Sequence, residues 1–228
     1  MLRFGYLLLL AGGLGGCQDS LPSASDPGFD YQPLEPGRYV EYAVSETRYA
    51  LNAPAVQRTY QLREEIGQPY RAVDGDTAYT LLRFRRSTTG QAWQTDSIWT
   101  IRRQTNAVVR TENGLDFVSL LFPARDGQTW NGNRLNVLGE DDYTIRNAGQ
   151  PYRVSAARFD QTVTVVAQDD STLVSQDKRL AVYARGVGLI YRERIQLQYC
   201  SSSPACIGTN QIDYGTRQYY RLTGYGTR

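Results

Sequence analysis

Between Leu189 and Tyr199 a carboxylate sits where an apolar side chain is expected. Leu189, Tyr191, Ile195, Leu197 and Tyr199 fall on one face at period two, with Glu193 among them, while Arg192, Arg194, Gln196 and Gln198 take the other. A carboxylate on such a face must be paired, exposed at an edge, or lining a wet cavity. If the Gly186-Val187-Gly188 turn pairs Arg185 with Leu189, Ala181 lies opposite Glu193 and Arg179 lies diagonal to it. Two readings follow: an ion pair between Glu193 and Arg179, or a polar anchor inside an aromatic pocket. Tyr183, Tyr191, Glu193 and Arg179 are the candidate ligand-binding residues.

Other chemistry is sparse. The chain contains no histidine, which removes the commonest general base and the usual hydrolase triads. A serine or threonine nucleophile would need a lysine, and the single one, Lys178, lies in the polar run Ser175-Gln176-Asp177-Lys178-Arg179. Neither a Gly-x-Ser-x-Gly elbow nor a phosphate-binding glycine loop is present. Paired carboxylates alone suffice for glycoside chemistry, so a carboxylate-based hydrolase is the remaining enzymatic alternative. The expectation is a non-enzymatic protein with no catalytic residue, cofactor or metal. Glu140-Asp141-Asp142 lacks the spaced pattern of a calcium loop and reads as a solvated acidic loop. Arg83, Arg85 and Arg86 flank Phe84, and Arg102-Arg103 follow Ile101. They read as a solvated strand face with snorkelling stems, or as a basic surface for anionic headgroups or glycans.

The formal net charge is only +2, and Arg3 accounts for one unit of it. A nucleic-acid partner, which calls for a strongly basic face, is not expected. Cys200 and Cys206 close the short run Cys-Ser-Ser-Ser-Pro-Ala-Cys. In an oxidising compartment this reads as a disulfide, contributing roughly 2–2.5 kcal/mol through chain entropy.

These residues must be positioned by strands. Val40, Tyr42 and Val44 alternate; so do Tyr60, Leu62 and Ile66, then Ala78, Thr80, Leu82 and Phe84, then Thr95, Ser97, Trp99 and Ile101. Alternation rich in aromatic and β-branched residues marks half-buried antiparallel strands. Asn113-Gly114 between two such runs predicts a type I′ hairpin. A second hairpin is expected around Gly186–Gly188, and Gln161 to Ala167 is another strand. The only helical expectation is a turn or two at Val154–Phe159. About ten strands with little helix predict an all-β fold. Its antiparallel sheet is curved and closes into a barrel or half-barrel, with a two-sheet sandwich as the alternative.

The N-terminus carries an address. Arg3 precedes an apolar run from Phe4 to about Leu14, followed by small residues and Cys17. The run is too short for a bilayer-spanning helix, which needs about 20 residues. Leu14-Gly15-Gly16-Cys17 resembles the lipobox of bacterial lipoproteins. That resemblance implies cleavage after residue 16 and acylation of Cys17, anchoring the protein in a membrane. Gln18 in place of the Asp that often retains lipoproteins in the inner membrane favours the outer membrane. Residues 17–33 read as a lipidated cysteine and flexible tether reaching roughly 50–60 Å, and 34–228 as one β domain.

Further phrases carry a second resemblance: Pro33-Leu34-Glu35-Pro36-Gly37-Arg38-Tyr39, Phe122-Pro123 through Trp130-Asn131-Gly132-Asn133, and Tyr183-Ala184-Arg185-Gly186-Val187-Gly188-Leu189. They resemble small β-rich lipoproteins of Gram-negative envelopes. The resemblance implies an envelope protein and carries no activity over; with no single pocket arguable from the sequence, the leading expectation is an interaction or structural module. The alternative is a domain holding an apolar, lipid-like molecule in a concave sheet. The expected partners are accordingly the membrane, through the lipid on Cys17, and either another envelope protein or an apolar small molecule.

Overall fold

The computed structural model describes residues 27–228; Cys17, its expected lipid and the leader lie outside the described residues. Twelve strands follow in chain order: β1 (Arg38–Tyr49), β2 (Val56–Arg71), β3 (Thr77–Arg86), β4 (Gln94–Gln104), β5 (Ala107–Glu112), β6 (Leu115–Leu121), β7 (Thr129–Asn131), β8 (Asp142–Val154), β9 (Ala157–Ser171), β10 (Ser175–Ala184), β11 (Gly188–Tyr199) and β12 (Ile212–Thr227). They form one antiparallel sheet in the order β6-β5-β4-β3-β2-β1-β12-β11-β10-β9-β8-β7.

This order puts two consecutive strands, β6 and β7, at opposite edges of the sheet. The segment 122–128 joins them, and even fully extended it spans only about 25 Å. A flat sheet of this width cannot be bridged by so short a link, so the edges are drawn together. The Val118 N–H donates to the Gly132 carbonyl at 2.9 Å and the Trp130 indole N–H to the Val118 carbonyl at 2.7 Å. Asn136 Nδ2 donates to the Asp116 carbonyl at 2.8 Å. The result is an all-β sheet nearly closed into a barrel. It satisfies part of both edges, which would otherwise offer unpaired backbone to other chains.

In β1, β2 and β4 the alternating residues supply the concave face, whereas in β3 Leu81 and Arg83, opposite Trp99 and Ser97, take it in place of Leu82 and Phe84. Tyr42 pairs with Leu62 and Leu222, and Val44 with Tyr60 and Tyr220, placing these side chains together on the concave side. Tyr42, Val44, Leu62, Ile101, Val163 and Val165 are all buried there. Asn113 and Gly114 both have positive φ, at 51° and 82°, as the type I′ turn requires. Cys200 and Cys206 are disulfide-bonded with Cα atoms 5.7 Å apart, stapling the loop between β11 and β12.

Three local expectations are corrected. Val154–Phe159 is not helical: it ends β8, turns through Ser155 at φ 52°, and begins β9. The hairpin tip lays Tyr152 on Tyr191 (ring centroids 5.9 Å) and Phe159 on Tyr225 (6.2 Å). The aromatic residues on either side of this turn serve a bent hairpin rather than a helix. Second, residues 28–33, expected within the flexible tether, are packed on one end of the barrel. A 3-10 turn at Phe29–Tyr31 buries Tyr31 and sets Phe29 edge-on against Phe122 at 5.0 Å. Arg103 donates to the carbonyls of Phe29 and Gln32, and the Gly186 N–H to that of Asp30. Third, the strands around Glu193 are offset from the expected register, as described below.

β12 begins with a close backbone approach. Gly215 has φ +129°, and a Cβ there would lie 2.1 Å from the Gln196 carbonyl oxygen. Gly215→Ala is therefore expected to destabilise the protein by at least about 1–3 kcal/mol, the cost of a residue forced into that backbone region. A urea midpoint equal to wild type would disprove the clash.

Candidate functional site

The polar face of β11 points into the barrel. Arg192 pairs with Tyr220 on β12 and Ala181 on β10, and Arg194 pairs with Gln218 and Arg179. Because Tyr220 belongs to the concave core, Arg192 and Arg194 share that side. The apolar face, with Tyr191, Glu193, Ile195, Leu197 and Tyr199, is the outer one. It is buried in its own right, since Ile195, Leu197 and Tyr199 form a second cluster with Tyr49, Ile212 and Tyr219.

Charge inside a barrel must be neutralised locally, and a chain of ion pairs does this. Glu64 on β2 accepts from Arg83 Nε at 3.1 Å and also from Arg110 on β5. Arg83 stacks over Trp99 at 3.7 Å and donates to Asp96 and Ser97. Arg110 Nε lies 2.9 Å from Glu112, and Glu112 in turn receives both guanidinium nitrogens of Arg192 at 3.2 Å. That last contact crosses the lumen from β5 to β11. Tyr42 adds another crossing bond, from its hydroxyl to the Leu189 carbonyl at 2.9 Å. Burial by itself would raise the Glu112 carboxyl, but Arg192 and Arg110 outweigh it and hold the group at about 2. Glu64 behaves alike: burial opposes its charge, and Arg110 and Arg83 bring it below the usual carboxylate range.

On the next strand, Arg179 is gripped bidentately by Asp141, at 2.7 and 3.0 Å, with Asp177 on its Nε at 3.0 Å. Between these two paired groups stands Arg194, with no hydrogen bond and no ion pair to any described residue. Repulsion from Arg192, with burial and Arg179, outweighs the attraction of Glu112 and pushes the Arg194 guanidinium below the ordinary arginine value. The space it faces is a cavity of about 80 Å³ walled by Phe117, Ser119, Tyr143, Val165 and Ala181.

The four candidate residues are thus divided. Arg179 and Tyr183 line the lumen, and Tyr183 is buried. Tyr191 and Glu193 sit together on the other face, where the Tyr191 hydroxyl donates to Glu193 at 3.1 Å. The expected ion pair of Glu193 with Arg179 is not formed; Lys178 supplies it at 3.3 Å. A bulge at Val182/Tyr183 shifts the pairing so that Leu180, not Ala181, opposes Glu193. This moves Lys178 onto the Glu193 face and turns Arg179 away from it. The basic run divides similarly: Arg83 is buried, whereas Arg86 stacks on Trp93 at 4.1 Å and Arg102 pairs with Asp74 and Asp116. Asp141 is not a free loop carboxylate but the partner of Arg179. Glu64, Arg110 and Glu112 escaped sequence reasoning. Their one available signal was charge at alternate positions in strands whose neighbours are apolar.

Among the described residues no group of three or more His, Cys, Asp or Glu side chains is arranged to hold a metal. No protein-family profile matches the chain, and no curated protein is significantly similar to it. Solved structures do show a likeness. A predicted exported protein of Bacteroides fragilis with a YmcC-like fold is 12% identical, with a TM-score of 0.38, covering 86% of this chain and 98% of that one. A predicted lipoprotein of Parabacteroides distasonis is 10% identical, with a TM-score of 0.33 and coverage of 86% and 98%. Lipovitellin, from a study of its lipid–protein interactions, is 12% identical with a TM-score of 0.39; the chain spans only 26% of it.

Proposed function

We propose that this protein is a non-enzymatic envelope lipoprotein. In this reading lipid on Cys17 holds it on the outer membrane, and its barrel serves as an interaction or structural module. One observation carries the reading: the barrel is filled by its own side chains. Ion pairs span the lumen from β5 to β11, leaving a cavity of about 80 Å³. That is roughly half the volume known to admit one benzene, so an acyl chain has no room inside. A module of this kind presents a rigid outer surface, and the aromatic–arginine stack of Tyr39, Arg63, Trp93 and Arg86 is one such surface feature.

The apolar-ligand reading keeps one foothold, an open groove of about 410 Å³ at the plugged end, where Phe29, Leu34 and Tyr79 meet Arg38 and Arg103. Native mass spectrometry of the lipoprotein, extracted from the envelope in mild detergent, separates the two. The expected result is the mass of the acylated chain alone. A lipid-sized adduct at unit stoichiometry, surviving detergent exchange, would overturn the filled-module reading in favour of the groove.

A further inference from the structure

Arg194 is a lumen arginine with no ion pair of its own: Glu112 attracts it, but that carboxylate is already held by Arg110 and Arg192. Each neighbouring lumen arginine has its carboxylate: Arg110 has Glu64 and Glu112, Arg192 has Glu112, and Arg179 has Asp141 and Asp177. Arg194 lies directly across from Arg179 on the neighbouring strand and two residues from Arg192 on its own. Like charges directly opposite one another destabilise a sheet. Folding therefore positions a cation against repulsion, and its planar fork faces a cavity rather than a partner.

We propose that this cavity, between β5–β6 and β10–β11, binds a small monocarboxylate as a bidentate ion pair with Arg194. The sign and number of charges follow from the pairing. One guanidinium without an ion pair of its own calls for one negative charge, and the neighbouring forks are occupied. The planar fork matches a carboxylate, in which two N–H groups meet two oxygens. The apolar part of the lining sets the rest of the molecule. Phe117, Val165, Ala167 and Ala181 are apolar and line the same space. At about 80 Å³ the cavity takes a carboxylate with two or three carbons. A longer molecule would place its carboxylate here and leave through the mouth. Both sources share one chemistry, a carboxylate with an apolar neighbour. The site is independent of the module role proposed above.

The test is isothermal titration of propionate and of hexanoate into the full lipoprotein in non-ionic detergent, with chloride matching the ionic strength. Saturable one-to-one binding is expected, weakened at least tenfold by Arg194→Gln and several-fold by Arg194→Lys, which keeps the charge but loses the fork. Thermal unfolding supplies a second readout. Arg194→Gln leaves the ligand-free midpoint unchanged or raises it, and propionate raises the midpoint of wild type only. Ala167→Leu, which fills the cavity without touching an ion pair, abolishes binding as well. Equal affinities for the two acids assign a free short acid. Hexanoate binding about tenfold tighter assigns the carboxylate end of a longer molecule. Absence of binding by both acids, or binding indifferent to Arg194→Gln and Ala167→Leu, overturns the site. Inorganic phosphate binding as tightly as propionate overturns its carboxylate specificity.

Discussion

Glu64→Gln is expected to cost about 3–5 kcal/mol of folding stability, because it removes one partner of a buried ion pair and strands the rest. Glu64 receives both Arg83 and Arg110, and all three side chains are almost fully buried. Arg83 keeps Asp96 and Arg110 keeps Glu112 after the substitution, so the loss falls short of two fully uncompensated cations. The control is Asp160→Asn. Asp160 pairs with Arg158 on the surface, where both side chains are exposed, and such pairs contribute about 0–1 kcal/mol. Urea unfolding followed by circular dichroism gives both values. Similar losses for the two variants would mean that the lumen is wetter, and its charges better screened, than the geometry implies. A favourable pair energy does not make the network an efficient source of stability, since well-packed apolar residues often replace buried ion pairs at no cost. Its distinct contribution is register. Contacts from β2 to β5 and from β5 to β11 are compatible with one closure of the sheet and penalise its slipped alternatives.

The second large effect is the response to acid. The Glu112 carboxyl is held at about 2, against an ordinary value of 4.5, chiefly by Arg192 and Arg110 acting against burial. A carboxylate whose folded value is depressed contributes stability that is complete above the unfolded value and disappears as pH falls through the folded one. For Glu112 that window runs from about 4.5 down to about 2. At 1.36 kcal/mol per unit the contribution is on the order of 3 kcal/mol. Glu64 is shifted in the same direction and adds to the loss. The urea midpoint is therefore expected to be level between pH 8 and 6 and to fall steeply below about pH 5. Glu112→Gln should start lower and fall less over the same range. A wild-type profile level down to pH 3 would contradict the assigned pairing, as would an unchanged slope in the variant. The chain has no histidine, so no imidazole titration complicates the interval between pH 6 and 8.

Much of the architecture could be read locally. Alternation in β1 to β4 reports strands that are half covered, and Asn113-Gly114 reports its turn because two adjacent positive φ values suit few other pairs. Two long strands were not anticipated. β8 and β12 carry glycine, proline or charged residues through their length, and tertiary pairing on both sides of β12 outweighs their weak local preference. The short β7 exists because the 122–128 link brings that segment beside β6.

The candidate site shows the division most clearly. The sequence by itself established that β11 has one apolar and one polar face, because side chains alternate with period two. It also identified Glu193 as an exception needing a partner, and Cys200 with Cys206 as a bridge. Which face is the lumen was decided only by closure, since alternation distinguishes the two sides without saying which is concave. One bulged residue at Val182/Tyr183 then exchanged Arg179 for Lys178 as the partner of Glu193, a one-position slip that reverses facing. The pairing of Glu112 with Arg192 joins residues 80 positions apart. No local pattern encodes such a contact; it forms because the sheet curls until β5 and β11 face each other across a space narrow enough for two side chains to meet.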